Sequence, residues 1–384
     1  MIDLDHAATT PVKGAVLEAM LPYFGAQYAN ASGGYQGARA TREAIDRARA
    51  QVAQAIGAKS GEILFTSGGT EADNWAILGG ALAAQEGGRR PSPGGQPLPG
   101  RRRIVTTRIE HHAVLRACEA LEPQGFEVVY ASVDGEGRVD PEEVGALVTP
   151  QTALVSVMLA NNEVGTIQPV AQITQIAHQN GALMHTDAVQ AVGHIPVDVE
   201  ALGVDLLSMA AHKFYGPKGI GALYVRAGTR LGRMILGGEQ ERGMRAGTEN
   251  TPGIVGMAKA LSLAVSELDE TSRRVSAMRD ALIEGLCARI PGVIVNGSRT
   301  DRLPGNVHVT VPGADARMLL LRLDMEGIAA SSGSACASGA SERSHVLTAM
   351  RAQEGADLRL TLGEDNDMRD VQRAIDALCR ILRV

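Results

Sequence analysis

Apolar residues recur along this chain with two different periods, and the switches between them mark out its elements. Over residues 39–56, Ile45, Ala48, Val52 and Ile56 fall on one helical face, and Gly57 follows as a C-cap. Short runs rich in β-branched residues come next: EILFT, RIVTT, EVVYA, ALVSVM, ALMHT, DLLSMA and GALYVR, several separated by helical patterns such as residues 169–180. These runs are apolar almost without alternation, as in strands buried on both faces. Strands of that kind alternating with helices predict an α/β fold with a mostly parallel sheet covered on both sides.

The pattern changes beyond about residue 255. A helical stretch over residues 254–290 leads to two further strand-like runs, NVHVT and LRLTL. A final helix carries Val371, Ile375, Leu378 and Leu382 on one face, with Cys379 in a structural role. At 384 residues the chain exceeds what one hydrophobic core usually supports. The expected division is a large domain over residues 11–255 and a smaller α+β domain over residues 256–384, joined by residues 1–10.

Composition narrows the function classes. Hydrophobic residues make up 45% and charged residues 21%, which is ordinary for a globular chain. A net charge of −6 gives no footprint for general nucleic-acid binding. The opening MIDLDHAATTP lacks the marks of a signal peptide and no run approaches a membrane span, so a cytoplasmic protein is expected. Cys118, Cys287, Cys336 and Cys379 contain no C-x-x-C pair, which argues against a zinc site or a disulfide framework. Residues 87–103, GGRRPSPGGQPLPGRRR, cannot supply a packed core and read as a mobile surface loop, either a solvated insertion or a basic docking site.

Several strand ends carry chemistry. Lys213 follows DLLSMA and precedes a glycine-rich turn; it is either an exposed loop lysine, as Lys218 is read, or an amine poised to form a Schiff base. For a lysine that holds pyridoxal phosphate, Asp187 after ALMHT supplies an acid for the ring nitrogen, and Gln190 reaches the ring hydroxyl. In LFTSGGTEADN a strand runs through Gly68 and Gly69 into a helix that starts near Thr70, a cradle for phosphate. His111, after another strand, offers an aromatic stack over the ring. Cys336, within IAASSGSACASGAS, is either a small residue tolerated at a turn or a reactive thiol.

Together these segments resemble the cysteine desulfurases of the NifS and IscS kind, within the fold-type I pyridoxal-phosphate enzymes of aminotransferase class V. The resemblance runs through LDHAATTP, FTSGGTEADN, EHHAVL, NNEVGTIQP, HTDAVQAVG, AHKFYGPKGIGALYVR, ERGMRAGTEN, SSGSACASG and SHVLTAM. It implies a seven-stranded sheet in the large domain and a pyridoxal-phosphate cofactor bound covalently by Lys213. His111 would stack on the ring, Asp187 and Gln190 would pair with its nitrogen and hydroxyl, and Asn162 would lie beside it. Gly69, Thr70 and His212 would hold the phosphate.

Further roles follow from the same resemblance. Thr248 would reach the phosphate of a neighbouring subunit, which implies a homodimer. Arg359, assisted by Asn30 and Asn162, would bind the substrate carboxylate in a two-pronged contact. Cys336 would take the sulfur of L-cysteine as a persulfide, with release of L-alanine, and pass it to an acceptor such as an iron–sulfur scaffold. Three positions depart from the pattern: Ala210 where a phosphate-binding hydroxyl is expected after the retained Ser208, Glu239 in place of a glycine, and Tyr35 in place of a histidine. The alternatives are a selenocysteine or cystine lyase on the same fold, and a non-catalytic partner subunit, for which Ala210 and Glu239 are the support.

Overall fold

The computed structural model describes residues 1–85, 100–332 and 343–383. Cys336 and residues 87–99 of the proline- and arginine-rich segment lie outside them. After the two-residue strand β1 (Ile2–Asp3) come β2 (Ile63–Thr66), β3 (Arg103–Thr107), β4 (Glu127–Ala131), β5 (Thr152–Ser156), β6 (Leu183–Asp187), β7 (Leu206–Ala210) and β8 (Gly221–Val225). Strands β2 to β8 form one sheet in the order β2-β8-β7-β6-β5-β3-β4. Neighbours from β7 through β4 are parallel, and β8 runs antiparallel to both β7 and β2. The expected mostly parallel, seven-stranded α/β sheet is present.

Its strands are apolar at both parities because both faces are covered. Ile63, Phe65, Val105, Val155, Met184, Leu207 and Tyr224 point to one side, under the helices Gln36–Ala55, Val170–Gln179 and Thr251–Ser266. Their sequence neighbours Leu64, Ile104, Leu154, Leu183, Leu206 and Leu223 point to the other side and pack with Trp75, Ile77 and Val114. Helix Gln36–Ala55 starts three residues before its predicted position, and Gly57 follows it at φ 70°.

The remaining strands are β9 (Ile294–Val295), β10 (Asn306–Val311), β11 (Ile328–Ala329) and β12 (Ala356–Thr361). An antiparallel sheet β12-β10-β9 packs against helices Leu268–Arg289, Ala316–Met325 and Met368–Leu382, and β1 pairs with β11 in parallel. Ile2 and Leu4 join this second core, as does the buried Cys379. The single helical stretch expected over residues 254–290 is two helices. It breaks at Glu267, whose φ of −103° and ψ of 2° leave the helical region and whose carboxylate pairs with Lys13 at 2.9 Å. The break changes partners: Ile254, Met257 and Leu261 pack on the larger sheet, whereas Val275, Met278 and Leu282 pack on the smaller one. Among the described residues no helix is long and apolar enough to cross a membrane.

An edge strand exposes unpaired backbone groups, and β2, at the edge of the larger sheet, meets side chains instead of another strand. Arg49 donates to the Ile63 carbonyl at 2.9 Å and to both carboxylate oxygens of Glu241 at 2.6 and 2.8 Å, and Glu241 accepts from the Phe65 amide at 3.0 Å. Both side chains are buried, and Glu241 adopts a left-handed φ of 46° to reach this position. Because Glu241→Ala leaves a buried guanidinium without its counter-charge and a strand amide without its acceptor, we expect it to cost about 3 to 5 kcal/mol of stability, read as a lower urea midpoint.

Candidate active site

The carboxyl ends of β2, β3, β5, β6 and β7 lie along one edge of the larger sheet, the side where α/β sheets bind ligands. β2 leads through Gly68 into the helix that begins at Gly69. Gly68 has φ 155° and ψ −178°, which only glycine adopts without strain, and a Cβ there would meet nothing within 4 Å. The turn therefore faces open space. Gly221 supports it from below, where a Cβ would stand 2.7 Å from Gly68 Cα.

His111, beyond β3, caps helix His112–Glu119, its Nδ1 accepting from the Ala113 amide at 3.2 Å. Its proton therefore sits on Nε2, and burial lowers its pKa. Asp187 ends β6, buried, with Oδ1 accepting from the Val189 amide at 2.9 Å. Gln190 follows, its Nε2 donating to the Ala7 carbonyl at 3.0 Å, which leaves its side-chain carbonyl as the other end of the amide.

After β7, a single turn over Ala211–Lys213 presents His212 and Lys213. Burial brings the His212 pKa down to about 4, with Lys213 adding to the effect, and its Nδ1 lies 3.2 Å from Thr9 Oγ1. The Lys213 ammonium donates to the carbonyls of Ala7 and, at 2.9 Å, of Ala8. Burial lowers its pKa from 10.5 to about 8; Arg359 pushes the same way, and Asp187 and Asp5 push back.

The opposite wall comes from β12 and the N-terminal segment. Arg359 on β12 is buried; its Nη1 donates to the Asn162 carbonyl at 3.0 Å and its Nη2 to Asp5 Oδ1 at 2.7 Å. One cavity of about 590 Å³ is lined by Gly69, Thr70, His111, Asn162, Asp187, Gln190, His212, Lys213 and Arg359. Nine of the residues singled out in the sequence thus meet in one place. Asn30 and Thr248 do not line it; both are exposed, and Asn30 Oδ1 accepts from the Ser32 amide at 2.9 Å. Cys336 lies outside the described residues, but Ser331 and Ser332, which precede it in the chain, line the cavity.

Of the three departures, Ala210 lines the cavity beside Gly69 and brings a methyl group where a hydroxyl was expected. Ser208 faces away, its Oγ 3.0 Å from His185 Nε2. Glu239 lines a different cavity, of about 570 Å³, with Arg42 and Arg49, and Tyr35 is exposed.

Two acidic lining residues carried no role in the sequence reading, Asp5 and Asp73. Asp73 is buried one helical turn after Gly69, a spacing that places both on the cavity side, with Oδ1 3.7 Å from His185 Nε2. Burial and the nearby Asp187 raise its pKa well above 3.8. Burial likewise lowers His185 to about 3 and raises Glu110 to about 8. Asp5 falls within LDHAATTP, but no local signal gives it a role, because its partner lies 354 residues away in the sequence.

The donor set fits pyridoxal phosphate. The open Gly68 turn at a helix start suits a phosphate, and the amine at a pKa of about 8 suits a carbonyl. Asp187, buried with one amide donor and its pKa raised by burial, calls for a cation beside it, which a protonated ring nitrogen provides.

Comparison with known proteins agrees. The family model for aminotransferase class-V matches residues 2–374. A cysteine desulfurase IscS of Methanosarcina thermophila is 48% identical over 383 residues, 99% of this chain and 91% of that protein. The cysteine desulfurase IscS of Dictyoglomus turgidum is 47% identical over 382 residues, 99% of this chain and 94% of its own length. Among solved structures, a NifS-like protein superposes with a TM-score of 0.91 at 36% identity, covering 100% of this chain and 99% of its own. With these matches running along almost the whole chain, and with a cavity built to hold the cofactor, the protein belongs to the pyridoxal-phosphate-dependent aminotransferase class-V family.

Proposed function

We propose that the chain is a cysteine desulfurase: it converts L-cysteine to L-alanine and takes the sulfur onto Cys336 as a persulfide. The observation that carries this reading is the meeting of Lys213, Asp187 and Arg359 in one cavity, beside Ser331 and Ser332 on the chain leading to Cys336. Pyridoxal phosphate, when bound, supplies an electron sink next to the substrate Cα that weakens the Cβ–Sγ bond.

The chain's own residues do the rest. Arg359, fixed by the Asn162 carbonyl, holds the substrate carboxylate and so sets the orientation of Cα and Cβ. Lys213 Nζ, with its pKa near 8, is unprotonated in a large fraction at mildly alkaline pH, the form that attacks a carbonyl. Asp187 would pair with the protonated ring nitrogen of the cofactor, and Gly69, Thr70 and His212 would hold its phosphate with one hydroxyl fewer than a serine at position 210 would give. The Cys336 thiolate attacks the substrate sulfur; the Cβ–Sγ electron pair stays with carbon, which gains a proton and becomes the methyl group of alanine.

The persulfide sulfur then passes to an acceptor protein such as an iron–sulfur scaffold. The exposed position of Thr248, away from its own cavity, supports a homodimer in which it serves the neighbouring subunit. The requirement for Cys336 with L-cysteine as substrate separates this reading from a lyase on the same fold.

Purified protein should absorb visible light through its bound cofactor, and Lys213→Ala should lose both that band and sulfide release. Cys336→Ser should keep the band while persulfide formation and sulfide release fall to background; sulfide release at the wild-type rate in Cys336→Ser would exclude the thiolate role. In protein stripped of cofactor, the rate at which added pyridoxal phosphate is captured should rise with pH as Lys213 loses its proton. Half the limiting rate is expected near pH 8 rather than near 10.5, followed by absorbance after mixing.

A further inference from the structure

Arg359 is placed to receive a carboxylate, yet it already has one. Its Nη2 donates to Asp5 Oδ1 at 2.7 Å and its Nη1 to the Asn162 carbonyl at 3.0 Å. Its Nε is buried and has no partner among the described residues. A guanidinium offers a carboxylate two parallel bonds along an edge, and the edge with the free donor is the one formed by Nε and Nη2. Asp5 already occupies Nη2, the nitrogen that completes that edge.

Asp5 is held there by main-chain pairing. The Leu4 carbonyl accepts from the Thr361 amide, the His6 amide donates to the Thr361 carbonyl at 3.3 Å, and the Ala7 amide donates to Thr361 Oγ1 at 2.9 Å. The segment is thus clamped two residues along β12 from Arg359. Arg359 is itself clamped, its amide donating to the Ser331 carbonyl at 2.6 Å. The guanidinium is 3% exposed and the Asp5 side chain 28%, so the aspartate is the partner with room to move.

We infer that Asp5 is an internal competitor for Arg359, an affinity- and specificity-setting residue that a substrate carboxylate must displace from the Nη2 end of the guanidinium. Two carboxylates sharing one guanidinium repel each other, so Asp5 weakens every anion that enters. The penalty falls hardest on simple carboxylates. An α-amino acid would recover the loss through its amine, which the bound cofactor would hold, whereas a carboxylate lacking an amine has only Arg359. The contrasting role, in which Asp5 merely orients Arg359, gives the opposite sign when its charge is removed.

This inference rests on the reading of Arg359 as the carboxylate site, and the experiment separates the two. In the cofactor-loaded enzyme, propionate carries the carboxylate without amine or thiol, and propionamide has the same shape without the charge. Propionate binding is read by competition against cysteine and by titration of its own NMR signal. For Asp5→Asn and Asp5→Ser, we expect the propionate dissociation constant and the KM for cysteine to fall by about three- to tenfold, with propionamide unchanged. Two variants guard against loss of folding in either one, which their melting temperatures report. Unchanged or weaker propionate binding in folded Asp5 variants overturns the inference. If Arg359→Met binds propionate as well as the wild type does, the reading of Arg359 falls, and the inference with it.

Discussion

The seven-stranded sheet is buried on both faces, and that one constraint decides where chemistry is possible. Apolar residues occupy both parities of its strands, so a charged side chain carried mid-strand would have to leave water for hydrocarbon on either side. Strand ends escape the conflict. Asp187, His212 and Lys213 stand where the backbone leaves the sheet, and His111 stands beyond β3. Gly221 adds the antiparallel β8 to this edge by pairing with both Thr66 and Ala210, so the phosphate-cradle turn and the lysine turn become neighbours through one residue.

The N-terminal segment closes what the sheet opens. Asp5 meets Arg359, the Ala7 carbonyl accepts from both Lys213 and Gln190, and the Ala8 carbonyl accepts again from Lys213. Thr10 Oγ1 donates to the His212 carbonyl at 3.0 Å and accepts from the Tyr215 amide at 2.7 Å. Within a few residues, a chain that begins in the smaller core through Ile2 and Leu4 thus fixes groups on both sides of the cavity. Lysine and arginine come from different sheets, and their relative position depends on this strap.

What the sequence disclosed follows from the range of the forces involved. The strands, the helix Gln36–Ala55 and the residues at strand ends were legible because periodicity and strand-end position are local properties. The break at Glu267 was not, since apolar residues continue across it and only their packing partners change. Asp73 stood at helical spacing from Gly69 and was open to discovery. Asp5 lay within the LDHAATTP motif, but nothing local gives it a role until β12 folds back beside it. The role of Arg359, in the run LRLTL, came from the family resemblance, which conveys a role without conveying the aspartate already bound to it.

Charge balance connects these features. Asp73, Glu110 and Asp187 are all buried near one another, and each has its pKa raised by burial, with Asp187 adding to the rise of the other two. The partners available to each differ. Glu110 takes Thr107 Oγ1 at 2.7 Å and the Met158 amide at 3.1 Å, whereas Asp187 has His111 and Lys213 favouring its charged form. Hydrogen bonds to neutral donors stabilise an anion less than a nearby cation does. Burial thus opposes the charged form at all three, and at Asp187 the neighbouring His111 and Lys213 push back. Asp73 and Asp187 are both buried and both line the cavity, so what distinguishes them is the company of Lys213 and His111 at Asp187.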